Sequence, residues 1–233
     1  MLNAALVRPP GQVQGAAIVA LHGCGGPFPT RDGPWAVALA EAGHVVLLPD
    51  SFGSRGLGSQ CRVKERAVRV LPTRRTDAIA AAEWLSARPQ TPPGGVVLMG
   101  WSNGGSTTLW TADAARDPPP GLFRRFVALY PGCRSEAASA TYRPAGPLMI
   151  LVGANDDWTP AAPCRTLAAR FPSQISLTVY PDAWHDFDAL DRPVKLRSGL
   201  ATPPSGTGEA HTGTNVAARA DALDRVPAFV DGP

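Results

Sequence analysis

The chain has no run of roughly 18 or more apolar residues, which excludes a membrane-spanning helix. Met1 is not followed by a basic-then-apolar leader, so the cytoplasm is the default expectation. The basic residues are almost all arginine, they are not interleaved with aromatics, and the net charge is only +3. Nucleic acid is therefore not an expected partner, and neither is a membrane. There is no Cys-x-x-Cys and no other ligand spacing that would point to a metal. Neither an internal repeat nor a linker interrupts residues 1–233, which read as one domain.

What the chain does contain is Val-, Ile- and Leu-rich runs alternating with helical patterns. Strands are predicted over 16–23, 44–50, 95–101, 123–131, 147–153 and 175–181. Helices are predicted over 34–42, 73–88, 103–114 and 161–171, with a last one over 215–232. Residues 51–72 read as a long loop or a partly helical excursion, and a further loop runs to about 212. This alternation predicts an α/β fold with a doubly wound, mostly parallel sheet, and sites on such sheets sit at the carboxyl ends of the strands.

The stretch "MGWSNGGS" (99–106) places Ser102 in a Gly-x-Ser-x-Gly pattern between a predicted strand and a predicted helix. That is the context of a nucleophile elbow, where small residues are needed because side chains would collide at the sharp turn. A serine hydroxyl needs a base, and the chain has four histidines. His185, in "YPDAWHDFD", follows the last predicted strand at the edge that carries Ser102, with His211 as the fallback; His22 precedes the serine and His44 reads as structural. The base in turn needs a carboxylate, and "LVGANDDWTP" offers Asp156 and Asp157 at a strand end. The chain order Ser, Asp, His is that of α/β-hydrolases. Backbone N–H groups of Asn103 and of Cys24, in the Gly-rich "HGCGG", are the expected oxyanion hole.

On "ALHGCGG", "LLPDSFGSRG", "MGWSNGG", "VGANDDWTPAAPC" and "YPDAWHDFD" the chain resembles the dienelactone hydrolase family of α/β-hydrolases over nearly its whole length. The resemblance implies Ser102 as nucleophile, His185 as base and an aspartate of "ANDDWTP" as acid. The family spacing of Gly, Asp and Pro is met by Gly153, Asp156 and Pro160, which favours Asp156 and leaves Asp157 to solvent or to capping the next helix. Two departures stand out. Enzymes that open dienelactones use a cysteine nucleophile where this chain has Ser102, and they carry a glutamate-bearing segment where it has "HGCGG". The expected activity is therefore hydrolysis of small carboxylic esters through an acyl-enzyme, without cofactor, metal or large lid domain. A thioesterase, peptidase or acyltransferase with the same triad, or a non-catalytic binding protein on the same scaffold, are the alternatives, and the oligomeric state stays open.

Weaker signals remain. Arg55 and Arg62, in an arginine-rich stretch, read either as a clamp for a substrate carboxylate or as part of a solvated basic face. Trp101, Trp158 and Trp184 neighbour the three catalytic candidates and are read either as walls of an apolar pocket or as core. The four cysteines are either free thiols or two disulfides, with Cys24–Cys61 and Cys133–Cys164 as one conceivable pairing. Pairing would point to a mature periplasmic or secreted chain.

Overall fold

The computed structural model describes residues 1–232. Seven strands share one sheet: β1 (Asn3–Val7), β2 (Ile18–Leu21), β3 (Val46–Asp50), β4 (Val96–Trp101), β5 (Phe123–Leu129), β6 (Leu148–Gly153) and β7 (Ile175–Tyr180). Their order across the sheet is β1-β3-β2-β4-β5-β6-β7. β1 runs antiparallel to β3, and every other pairing is parallel. The helices are α1 (Pro29–Glu41), α2 (Arg75–Ser86), α3 (Asn103–Thr111), α4 (Arg134–Ala138), α5 (Ala161–Arg170) and α6 (Val216–Asp231).

Period-two alternation sorts the apolar strand residues between two cores. Ile18, Ala20, Val97, Met99, Trp101, Val127 and Leu129 meet Trp35 and Leu39 of α1 and Val226 and Val230 of α6 on one face. On the other face Val19, Leu21, Leu98, Phe126, Ala128 and Ile150 meet Ala82 and Leu85 of α2, Leu109 of α3 and Leu167 of α5. Because both faces are covered, the central strands read as unbroken apolar runs.

The element boundaries differ from expectation in explicable places. α1 starts earlier than predicted, at Pro29, because proline suits the first helical position and Asp32 Oδ2 accepts the Phe28 N–H at 2.8 Å. α6 is capped by Asn215, whose side chain accepts from Ala218 N–H at 3.0 Å. The excursion after β3 holds a 3₁₀ turn, Gly53–Arg55, and ends in a π-spaced turn, Val70–Arg74. The late loop contains an unforeseen hairpin of β8 (Lys195–Arg197) and β9 (Ala210–Thr212). β1 was not foreseen either, since an exposed edge strand carries no long apolar run. With the parallel strands in this order, Ser102, Asp156, His185 and the 22–26 loop all emerge from carboxyl ends, those of β4, β6, β7 and β2.

Candidate active site

Ser102 is the lone residue between β4 and α3, with φ 53° and ψ −112°. A non-glycine residue held at such a positive φ costs about 1–3 kcal/mol and persists only where its surroundings enforce it. Here Ser102 N–H donates to Leu129 O at 2.9 Å, and its carbonyl accepts Ser106 N–H at 2.8 Å. A Cβ on Gly104 would collide with the Leu21 and His22 carbonyls, so α3 can start this close to β2 only with glycine there.

Ser102 Oγ lies 2.9 Å from His185 Nε2, and His185 Nδ1 lies 2.8 Å from Asp156 Oδ2. With Nδ1–H donating to the carboxylate, Nε2 is left to accept from the serine hydroxyl. Asp156 is held in turn: Oδ1 accepts the N–H groups of Trp158 at 2.9 Å and Thr159 at 2.7 Å, and the Thr159 hydroxyl lies 3.0 Å from Oδ2. His185 and Asp156 are almost wholly buried. Burial disfavours the imidazolium, but the Asp156 charge and its hydrogen bond outweigh it and hold the His185 pKa above the ordinary histidine value. Thr159 had no signal in the sequence beyond its place after the aspartates.

The loop after β2 is fixed residue by residue. His22 Nε2 accepts the Ser51 N–H at 3.1 Å, so Nδ1 carries the proton and donates to Gly23 O at 2.8 Å. Burial, with the charges of Arg74 and Arg31, pushes the His22 pKa down to about 2, so the ring stays neutral. In a trans peptide the Cys24 N–H points opposite to the Gly23 carbonyl. Among the described residues nothing accepts from the N–H groups of Cys24 or Asn103. On its other side the loop is tied by Gln60 N–H to Cys24 O at 2.8 Å and by the Cys24–Cys61 disulfide. A second disulfide joins Cys133 to Cys164.

Two open clefts, each of about 330 Å³, meet at Ser102, Cys24 and Trp158. The Trp158 ring centroid lies 4.8 Å from that of His185. The first cleft is walled by the β8 segment. Its Arg192, Lys195 and Arg197 make no ion pair among the described residues, whereas Arg31 is neutralised by Asp32 and Asp186 at 2.8 and 3.0 Å. The second cleft carries Arg66 and Arg134. Among the described residues no cluster of His, Cys, Asp and Glu is placed to hold a metal, and no helix is long and apolar enough to cross a membrane.

Four side chains expected near the substrate, Arg55, Arg62, Trp101 and Trp184, are elsewhere. Arg55 is locked in a two-point salt bridge to Asp77, at 2.8 and 2.9 Å, outside both clefts. Trp101 is fully buried beneath the sheet, where its Nε1–H donates to Asp188 Oδ2 at 2.8 Å beside that of Trp35 at 2.7 Å. Trp184 stacks on His211 at 4.4 Å and lines neither cleft. Asp157 does not cap the next helix; partly exposed to solvent, it accepts the backbone N–H of His211 and faces His211 Nδ1, both at 2.8 Å, which also removes His211 as a base for Ser102. Arg62 lies against Gly199 rather than in a cleft.

A mostly parallel sheet wound on both faces, with this elbow and no lid domain, is the α/β-hydrolase fold. The chain belongs to the dienelactone hydrolase family, whose profile matches residues 2–231, and is a hydrolase. Among solved structures it is similar to a candidate dienelactone hydrolase of Klebsiella pneumoniae. That match has a TM-score of 0.73 and 18% identity, and covers 98% of this chain and 92% of the other. It is similar to esterase 2 of Thermogutta terrifontis phosphoramylated by tabun, with a TM-score of 0.70, 18% identity and coverage of 98% and 88%. A lidless α/β serine hydrolase of Xanthomonas campestris matches with a TM-score of 0.55, 22% identity and coverage of 79% and 80%.

Proposed function

We propose that the protein is a serine esterase with Ser102 as nucleophile, His185 as general base and acid, and Asp156 as the group that sets the imidazole tautomer. The unbroken hydrogen-bonded line from Asp156 through His185 to Ser102 is the observation that carries this reading. His185 Nε2 takes the hydroxyl proton as Ser102 Oγ attacks the ester carbonyl. The free N–H groups of Cys24 and Asn103 hold the oxyanion, and His185 returns the proton to the leaving alcohol. Water, deprotonated by the same imidazole, then releases the acid. The experiment is labelling by a fluorophosphonate. Stoichiometric uptake that is lost in Ser102→Ala is expected, and a folded protein that takes up no label would overturn the reading. Esterase 2 of Thermogutta terrifontis carries an organophosphorus adduct of this chemical kind.

Arg192, Lys195 and Arg197 make no ion pair among the described residues and outnumber the one carboxylate of the first cleft, Asp186, whose nearer partner is Arg31. They extend the proposal to compact esters bearing a carboxylate. The p-nitrophenyl hemisuccinate should show a KM about tenfold below that of the butyrate, the equivalent of roughly 1.4 kcal/mol. Added salt should erode the difference, because exposed charges are screened. Equal KM values at low salt would remove the anionic preference while leaving the esterase assignment standing.

A further inference from the structure

Arg74 is a fully buried guanidinium with no carboxylate within ion-pairing distance, and its Nε has no partner among the described residues. A charge in that position is costly, and a site serving stability alone would be better filled by an apolar side chain. Its hydrogen bonds explain what it does. Nη1 donates to Asn103 Oδ1 at 2.6 Å, and Nη2 donates to His22 O at 2.8 Å. The guanidinium also lies over the Phe52 ring, 5.2 Å from its centroid.

Those two acceptors belong to the two segments that present free N–H groups beside Ser102. Asn103 is the first residue of α3 and supplies one of the N–H groups. His22 O belongs to the peptide that enters the loop, and the next peptide, Gly23–Cys24, is fixed by the His22 ring. Arg74 therefore bridges the start of α3 and the loop after β2. We propose that Arg74 is a positioning residue, clamping the two halves of the oxyanion hole in register and setting behind it a positive charge that makes no direct ion pair. This rests on the serine-esterase reading above. A charged fork suits the task, since two donors in one rigid plane hold two acceptors at a fixed separation.

The test compares the wild type with Arg74→Lys, Arg74→Met, Asn103→Ala and the double variant Arg74→Met/Asn103→Ala. Asn103→Ala keeps the backbone N–H and deletes only the side-chain acceptor. The readouts are kcat and KM for one p-nitrophenyl ester, the inhibition constant of phenylboronic acid, and a thermal melt. A boronic acid forms a tetrahedral adduct on the serine oxygen and so reports on the hole, whereas KM reports on ground-state binding. Loss of one oxyanion donor costs on the order of 100- to 1000-fold in kcat, so a loosened donor should cost about 10- to 100-fold. We expect that loss in Arg74→Lys and Arg74→Met, with KM within about twofold and boronate affinity falling in parallel with kcat. The double variant should be no slower than Arg74→Met, because both changes break one clamp. If Arg74→Met does not fold, Arg74→Lys and Asn103→Ala carry the comparison. Folded variants with unchanged kcat, or with a loss confined to KM and boronate binding intact, would overturn the clamp in a wild type that still takes the fluorophosphonate. A wild type that neither turns over nor labels would overturn the esterase reading, and the clamp with it.

Discussion

The imidazole of His185 is held between two opposed influences, burial that favours the neutral ring and the Asp156 carboxylate that favours the charged one, and the carboxylate prevails. A base works only when neutral, so kcat/KM should rise with pH through an apparent pKa above the ordinary histidine value of 6.5. Asp156→Asn leaves burial in place but removes the opposing charge and the acceptor for Nδ1–H. The midpoint should move down and kcat fall by roughly 10³–10⁴, measured on one ester across the pH range. A variant with an unmoved midpoint would show that Asp156 is not what tunes the ring. At this scale, residues with a fixed chemical requirement were legible. A serine at an elbow, a carboxylate and a histidine at strand ends are constrained by both topology and chemistry. Side-chain direction was less so. Trp101 shares the parity of Val97 and Met99, which points it into the core, and that alternation was the available signal. Nothing local to Arg55 shows that Asp77 would claim it.

The elements held by long-range ties are the ones the sequence hides. Residues 51–72 lack periodicity because they are fixed from outside, by Arg55–Asp77, by Gln60 N–H to Cys24 O and by Cys24–Cys61. The β8–β9 hairpin is three residues a side and exposed along β8, too short for a pattern to register, yet it brings Lys195 and Arg197 to the first cleft. The two disulfides close separations of 37 and 31 residues, each worth about 3–4 kcal/mol by the entropy of the unfolded loop. Their effects on activity should differ. Replacing Cys24 and Cys61 by alanine frees the loop that presents the Cys24 N–H, so both kcat and urea stability should fall. Replacing Cys133 and Cys164 should lower stability with kcat nearly unchanged. Equal kcat in the two variants would show that the first bond has no part in shaping the site. Pairing of all four cysteines meets the condition on which the sequence pointed to a periplasmic or secreted chain. A thiol titration under denaturing conditions should accordingly find no free thiol until reductant is added.

Across the whole molecule, two buried groups far apart in the chain set opposing pH dependences of stability. His22 stays neutral down to about pH 2 when folded but takes a proton below 6.5 when unfolded, so its contribution falls as the pH drops through that window. Glu136 behaves in the opposite sense. Burial raises its pKa from 4.5 to about 7, so the folded state keeps a proton that the unfolded chain has released. Its contribution falls as the pH rises from 4.5 to about 7. Between pH 4.5 and 6.5 the folded chain carries the Glu136 proton and the unfolded chain the His22 proton, so for these two groups the slopes cancel. Glu136→Gln removes one side of that balance while keeping the shape of the side chain. The variant should therefore gain on the wild type as the pH rises from 4.5 to about 7, by on the order of 1.4 kcal/mol per unit, and then run level. Urea unfolding of both proteins at a series of pH values gives the difference directly. A difference that does not change with pH would show that Glu136 is already charged in the folded state at pH 5.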